Sequence, residues 1–232
     1  MSTPRIAEPS PTHLRRDAVR LLLAWGLILA VMIAVGMALT GPLEGSVGVA
    51  DNDAERWLAA HRSAALTDAA YAASLLGETL TELILAPVLL LVIWLWQRNI
   101  RPVVFIAVAC VGELAAYLLT VNIVSRPRPP VVQLDQGLDP THSYPSGHVA
   151  AAVATYGGMA VLVWGFGATR WRWLSAALLV PAPLVALARL YLGVHHPSDV
   201  AVSLLFMSVW VAVTAVIVLS GLTRDDSRSR PG

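Results

Sequence analysis

The sequence predicts an all-α integral membrane bundle of six transmembrane helices. Three observations predict it. The 232 residues are 56% hydrophobic, with a mean hydropathy of +0.66. Charged residues make up only 13%, about half the share of an ordinary soluble domain. Apolar stretches of about 20 residues, the length that crosses a hydrocarbon core as a helix, recur along the chain.

The first span is Leu21–Leu39, wholly uncharged. The second lies within Ala69–Trp96 and encloses Glu78 and Glu82. The third is Pro102–Val124, interrupted by Glu113; Glu82 and Glu113 both fall near mid-membrane on this reading and are taken as structural. The fourth runs from about His148 to Phe166. The fifth runs from Trp173 to about Leu190, where Pro181 and Pro183 predict a kink. The sixth is Val200–Leu219. The bundle therefore occupies residues 21–221, between polar tails at 1–20 and 222–232. Residues 1–20 are rich in Pro and Arg, and the apolar stretch after them is too long for a signal-peptide core, so it reads as a retained anchor. Trp25, Trp57, Trp94, Trp96, Trp171 and Trp173 fall near the expected interfaces and read as aromatic anchors.

A net charge of +1 gives no reason to expect nucleic-acid binding. Cys110 is the single cysteine and sits in an apolar run. That excludes an intrachain disulfide and a cysteine-built metal cluster. All sixteen basic residues are Arg, a composition that suits a GC-rich bacterial genome. Arg5, Arg15, Arg16 and Arg20 precede the first span; Arg98 and Arg101 join spans two and three. Arg170 and Arg172 join spans four and five; Arg224, Arg228 and Arg230 follow the sixth. With six spans all of these fall on one side, which the positive-inside rule makes cytoplasmic. The expected location is a bacterial inner membrane, with both termini in the cytoplasm.

The outer connections carry the unusual residues: Arg126 and Arg128 after span three, Pro145-Ser146-Gly147-His148 at the start of span four, Arg189 at the end of span five, and His195, His196 and Asp199 before span six. Spans return each piece to the same outer face, so the active site is expected there. The 1–2 loop, about Gly41 to Leu66, is expected to stay outside this cluster, with a short interfacial helix at Asp51–Ala60. Asp135, Asp139 and His142 read as solvated loop residues.

Converging arginines bind phosphate, because the guanidinium fork offers paired donors to its oxygens. Ser146 and Gly147 open a helix, adding backbone N–H groups and the positive end of its dipole. Arg128, Arg189, Ser146 and Gly147, with Arg126 as a further charge, form the expected phosphate cradle. A deprotonated histidine attacks phosphorus when an acid on its other nitrogen holds the tautomer. His195 and Asp199 are four residues apart, so a direct hydrogen bond between them is expected; adjacent His196 competes for the role. His148 is the expected general acid for the leaving oxygen. Metal ligation by His142, His148, His195, His196 and Asp199 is the weaker alternative, since three arginines repel a dication.

These residues resemble the type 2 phosphatidic acid phosphatase (PAP2) superfamily, whose signatures are Lys-x6-Arg-Pro, Pro-Ser-Gly-His and Ser-Arg-x5-His-x3-Asp. The second is intact at Pro145–His148, and the third reads Ala188-Arg189, five residues, His195, three residues, Asp199. The first survives as Arg128-Pro129, with Val121 in place of Lys. The resemblance implies a phosphohistidine on His195, with Asp199 orienting it and His148 as the acid, and no cofactor. It implies a lipid phosphate or diphosphate drawn from the bilayer: undecaprenyl diphosphate, phosphatidylglycerol phosphate or phosphatidic acid. A lipid phosphotransferase with the same nucleophile, and a non-catalytic lipid-binding or transport protein, are the alternative readings.

Overall fold

The structure, a computed structural model, describes residues 11–228, with side chains for 13–82 and 84–220. Arg5 and Arg230 lie outside the described residues, as do the side chains of Arg224 and Arg228. The described chain is helical without a strand. Six of its helical stretches are long and apolar enough to cross a membrane.

Helix α1 (Pro11–Leu39) begins ahead of the expected Leu21 and leads through a π-helical turn (Glu44–Gly48) into α2 (Val49–Ala60). Ser63 caps α3 (Ala64–Ser74), its hydroxyl accepting from Leu66 N at 3.4 Å. A 3-10 turn at Leu75–Gly77 separates α3 from α4 (Thr79–Gln97). The second span is therefore α4 alone, and α3 packs beside α9 (Pro181–Tyr191). Glu78 falls outside the span as the N-cap residue of α4, and Glu82 sits in its first turn rather than at mid-membrane. Asn99 caps α5 (Ile100–Ile123), with its Oδ1 accepting from Arg101 N at 2.9 Å.

Helix α6 (Gly147–Ala152), a π-helical turn (Val153–Gly157) and α7 (Gly158–Phe166) form the fourth span. A wide turn leaves room for a polar group: the Thr155 hydroxyl there donates to Glu82 at 2.5 Å. The fifth span breaks between α8 (Arg172–Leu178) and α9, just before Pro181. Proline supplies no N–H to the preceding turn, so α9 starts with Pro181 in its first turn. Pro197 likewise opens α10 (Pro197–Arg228), the last span.

Small residues let the spans approach closely, as membrane interfaces require. A Cβ at Gly112 would lie 2.5 Å from the Trp210 ring, and one at Gly36 would lie 2.5 Å from the Tyr144 ring. Three aromatic donors tie the bundle to carbonyls across it: Trp25 to Gly112 at 2.8 Å, Trp210 to Ala109 at 3.1 Å and Tyr144 to Met32 at 2.6 Å. Trp25 is thus a packing residue rather than an interfacial anchor. Trp57, Trp94, Trp96, Trp171 and Trp173 are exposed. At the end of the bundle away from the histidines, Arg98 lies over Trp94 and Arg172 over Trp164.

Gly112→Val forces a branched side chain into the Trp210 ring, which overpacking makes costly by about 1–3 kcal/mol. The melting temperature of the detergent-solubilised protein should fall. Gly26→Val, at a position with nothing within 4 Å, should leave it unchanged.

Candidate functional site

Pro127, Pro129 and Pro130 keep the chain after α5 extended, because proline lacks the N–H a helix needs and bars its predecessor from helical backbone. The extended stretch pairs with residues 140–143: Arg126 N donates to Thr141 O at 2.9 Å, Arg128 N to Pro140 O at 3.0 Å, and Ser143 N to Arg126 O at 3.1 Å. This pairing holds Ser143 beneath the turn that follows α9. Gly193 makes that turn at φ +73°, a left-handed conformation that glycine adopts without strain. Arg62 clamps the same corner, donating to Tyr191 O at 3.0 Å and Val132 O at 2.7 Å.

His195 is buried, and its Nδ1 lies 2.6 Å from Ser143 O. A carbonyl oxygen only accepts, so Nδ1 carries the hydrogen and the lone pair of the neutral ring is on Nε2. Burial, with Arg189 and Arg128 nearby, holds the pKa of His195 well below the usual histidine value. The ring is a neutral base at physiological pH.

The direct hydrogen bond expected from His195 to Asp199 is not made; Nδ1 and Oδ2 are 3.9 Å apart, beyond hydrogen-bond range. Asp199 is the third residue of α10 and reaches back to His196 N at 2.9 Å, a capping-box contact. It also accepts from the Ser143 hydroxyl at 2.6 Å and from Arg126 Nη1. Ser143 is therefore the bridge, with its carbonyl on His195 and its hydroxyl on Asp199. Sequence reasoning missed Ser143, since a backbone contact leaves no residue-type signal.

Arg126 does not stand free for an anion. Its Nη2 donates to Asp51 at 2.7 Å, and its Nη1 donates to Ser198 Oγ at 2.7 Å as well as to Asp199. Asp51 lies in α2, so the 1–2 segment does not stay outside the cluster. Its Oδ1 also accepts from Ser198 N at 3.1 Å. His196 turns away from His195: its Nε2 is 3.2 Å from Pro127 O.

Arg128 and Arg189 form the other half of the site. Arg128 donates to Asp139 O at 2.8 Å and Val194 O at 2.6 Å. Burial and the neighbouring Arg189 charge lower its pKa. Arg189 is 1% exposed and donates to Ser74 Oγ at 3.0 Å and Asp135 Oδ2 at 2.7 Å. Asp135 is thus an ion-pair partner rather than a solvated loop residue. Ser146 is buried; its N–H donates to Ser203 Oγ at 2.9 Å. In this half of the site, the buried Arg189 Nε and Ser146 Oγ have no partner among the described residues. Orphaned buried groups are costly, and a guanidinium N–H and a hydroxyl together suit an oxyanion. His148 opens α6 with Gly147 and interacts electrostatically with His195, Arg128 and Arg189. Among the described residues, no three or more His, Cys, Asp or Glu side chains converge to hold a metal ion.

All of these residues from Arg126 onwards fall within residues 101–220, and that segment, more than half of the chain, matches the PAP2 superfamily. The chain belongs to the PAP2 superfamily. Within this superfamily it is similar to sphingosine-1-phosphate phosphatase 1 of Rattus norvegicus, 31% identical over 140 residues that cover 56% of the chain and 30% of the relative. The Mus musculus protein of that name is 31% identical over 122 residues, 49% of the chain and 27% of the relative. The chain thus spans under a third of the length of either. The crystal structure of a transmembrane PAP2 type phosphatidylglycerolphosphate phosphatase from Bacillus subtilis shares the fold, with a TM-score of 0.69. It is 19% identical, over 90% of this chain and 98% of that one. The PAP2 chain described here is a multi-pass membrane protein.

Glu55, also unforeseen, is buried behind the site on α2, with neither carboxylate oxygen partnered among the described residues. Burial pushes its pKa up to about 8.

Arg126→Met leaves Asp51 and Asp199 buried without their shared cation, which should cost about 3–5 kcal/mol in thermal unfolding in detergent. Glu55 has the opposite signature. The folded state holds its proton between the unfolded pKa of about 4.3 and about 8, so its contribution to stability falls as pH rises through that window. Glu55→Gln should melt higher than the parent at pH 8, with the difference vanishing below pH 4.5.

Proposed function

We propose that this protein is a membrane lipid phosphatase that works through a phosphohistidine on His195. The observation that carries the reading is the neutral, buried His195 with its lone pair on Nε2, beside two arginines and two orphaned donors. Nε2 attacks phosphorus while Ser143 O keeps the Nδ1 hydrogen. The N–P bond forms as the bond from phosphorus to the lipid oxygen breaks, and His148 gives that oxygen its proton. Arg128, Arg189 Nε, Ser146 Oγ and the Gly147 N–H take the phosphoryl oxygens, whose charge these fixed donors stabilise. Water then attacks the phosphohistidine, losing a proton to His148, and inorganic phosphate leaves. Asp199 acts at one remove: it fixes Ser143, and its charge lies near the imidazolium that forms. Arg126 is a positioning residue that holds Asp199, not a ligand of phosphate. The scheme is written with arginine and histidine side chains alone and calls on no metal.

A lipid substrate is supported by an apolar groove of about 300 Å³ between α3 and α9, lined by Leu66, Ala70, Ala73, Leu184, Leu187 and Ala188. Ala73 and Ala188 directly precede Ser74 and Arg189, which hydrogen-bond to each other. Hydrocarbon surface thus borders the phosphate cradle. The relatives named above take sphingosine 1-phosphate and phosphatidylglycerol phosphate, both lipid phosphate monoesters, and this favours a monoester over undecaprenyl diphosphate. Arg98, Arg101, Arg170 and Arg172 at the far end of the bundle support a cytoplasmic placing of that end. The site then opens outward from a bacterial inner membrane, with both termini inside.

Purified protein in detergent should release phosphate from phosphatidylglycerol phosphate or phosphatidic acid in the presence of a chelator. His195→Ala should lower the rate by at least a thousandfold, since no other group supplies the nucleophile. Release that stops with chelator would overturn the metal-free scheme. Release that survives in the His195 variant would overturn the phosphohistidine.

A further inference from the structure

We propose that the phenolic hydroxyl of Tyr117 donates directly to the substrate's phosphoryl oxygens, on the side of the cradle that Val121 leaves without a donor. The proposal rests on the phosphatase reading of the same site. Tyr117 and Val121 lie one turn apart on α5 and so share a face. Val121 is buried at 4% exposure and offers only methyl groups. Tyr117 lies one turn deeper and carries a longer side chain.

Three observations place the phenol in the cradle. A Cβ at Gly147 would lie 2.9 Å from Tyr117 Cε2 and 3.0 Å from its Cζ, the atom that bears the hydroxyl. The polar end of the ring therefore lies against Gly147, whose N–H is assigned to the phosphoryl oxygens. Gly147 is what allows this approach; any side chain there would displace the ring. Tyr117 also lies close enough to interact electrostatically with both Arg128 and Arg189, the two guanidiniums assigned to phosphate.

The third observation is the state of the hydroxyl itself. The chain has five tyrosines. Tyr71 donates to Leu134 O, Tyr144 to Met32 O, Tyr156 to Leu76 O and Tyr191 to Ser63 O. Tyr117 makes no hydrogen bond to any described residue. Buried or half-buried phenols normally find a partner. An unpartnered one beside two arginines, an orphaned Ser146 Oγ and an orphaned Arg189 Nε completes a set of donors without an acceptor. A phenol keeps its proton at neutral pH, so Tyr117 adds a hydrogen bond without adding a third cation beside two that already repel.

Tyr117→Phe keeps the ring against Gly147 and removes only the hydroxyl, so the melting temperature in detergent should stay with the parent. Two readouts are measured on both proteins: kcat/KM for phosphatidic acid, and the dissociation constant of orthovanadate by calorimetry. Vanadate mimics the transferring phosphoryl group and needs no turnover. Loss of a hydrogen bond to a charged group predicts a fall of roughly tenfold to a hundredfold in kcat/KM, and vanadate binding weakened by at least tenfold. Val121→Lys in the Tyr117→Phe background should recover a large part of both. Unchanged vanadate affinity in Tyr117→Phe, or no vanadate binding by the parent, overturns the proposal. A parent that binds vanadate but releases no phosphate from any lipid overturns the phosphatase reading instead; weakened vanadate binding by Tyr117→Phe would then still support the donor.

Discussion

Arg126 sits with a carboxylate on either side and almost no contact with water. Three charges buried together are tolerable only as a set, because removing any one leaves another unpaired in a weakly polarisable interior. That condition joins three parts of the chain that are remote in sequence. Asp51 brings α2, Arg126 brings the proline-rich segment after α5, and Asp199 brings the start of α10. Once these meet, the pairing of residues 126–128 with 140–143 is anchored, and Ser143 has one place to be. His195 takes its tautomer from Ser143 O. The reactivity of the imidazole thus descends, in two hydrogen bonds, from an ion cluster that touches no substrate.

The arginines consequently divide into two kinds. Arg126 is neutralised by two buried acids, Asp51 and Asp199. Arg128 and Arg189 are tied by two contacts each, Arg128 to two carbonyls and Arg189 to a hydroxyl and Asp135. They remain close enough to lower the pKa of His195, and Arg189 lowers that of Arg128. Burial, together with these two charges, holds the pKa of His195 down, so in the proposed reaction the same pair would serve both the binding of phosphate and the availability of the nucleophile.

The membrane imposes irregular helices at the polar end of the bundle. The second span begins only after a 3-10 turn, the fourth carries a π-helical turn and the fifth is broken before Pro181. The first and the last of these bear on the site. Ser74 lies just before the 3-10 turn and meets Arg189. A Cβ at Gly77, within that turn, would lie 2.3 Å from His148 O, so glycine is what lets the turn rest on α6. The break before Pro181 sets the direction of α9, which carries Arg189 into the interior.

Six spans and the convergence of two arginines, Ser146, Gly147, His148, His195 and Asp199 were legible in the sequence, although the starts of the first two spans were not. Hydropathy fixes what must lie in lipid, and an even number of crossings brings separated polar segments back to one face. Who bonds to whom was not legible. Four-residue spacing put Asp199 within reach of His195, but the helix end at Pro197 and the buried Arg126 drew the carboxylate elsewhere. Asp51 looked like one charge in an interfacial loop, Asp135 like one in a solvated loop, and Trp25 like an anchor. Each has a partner across the bundle that no local pattern announces. Sequence spacing determines which groups can arrive at a face, because it counts turns of helix. Only the tertiary structure decides which of them are consumed in satisfying buried charge and which are left unpaired for a ligand, because that depends on every neighbour at once.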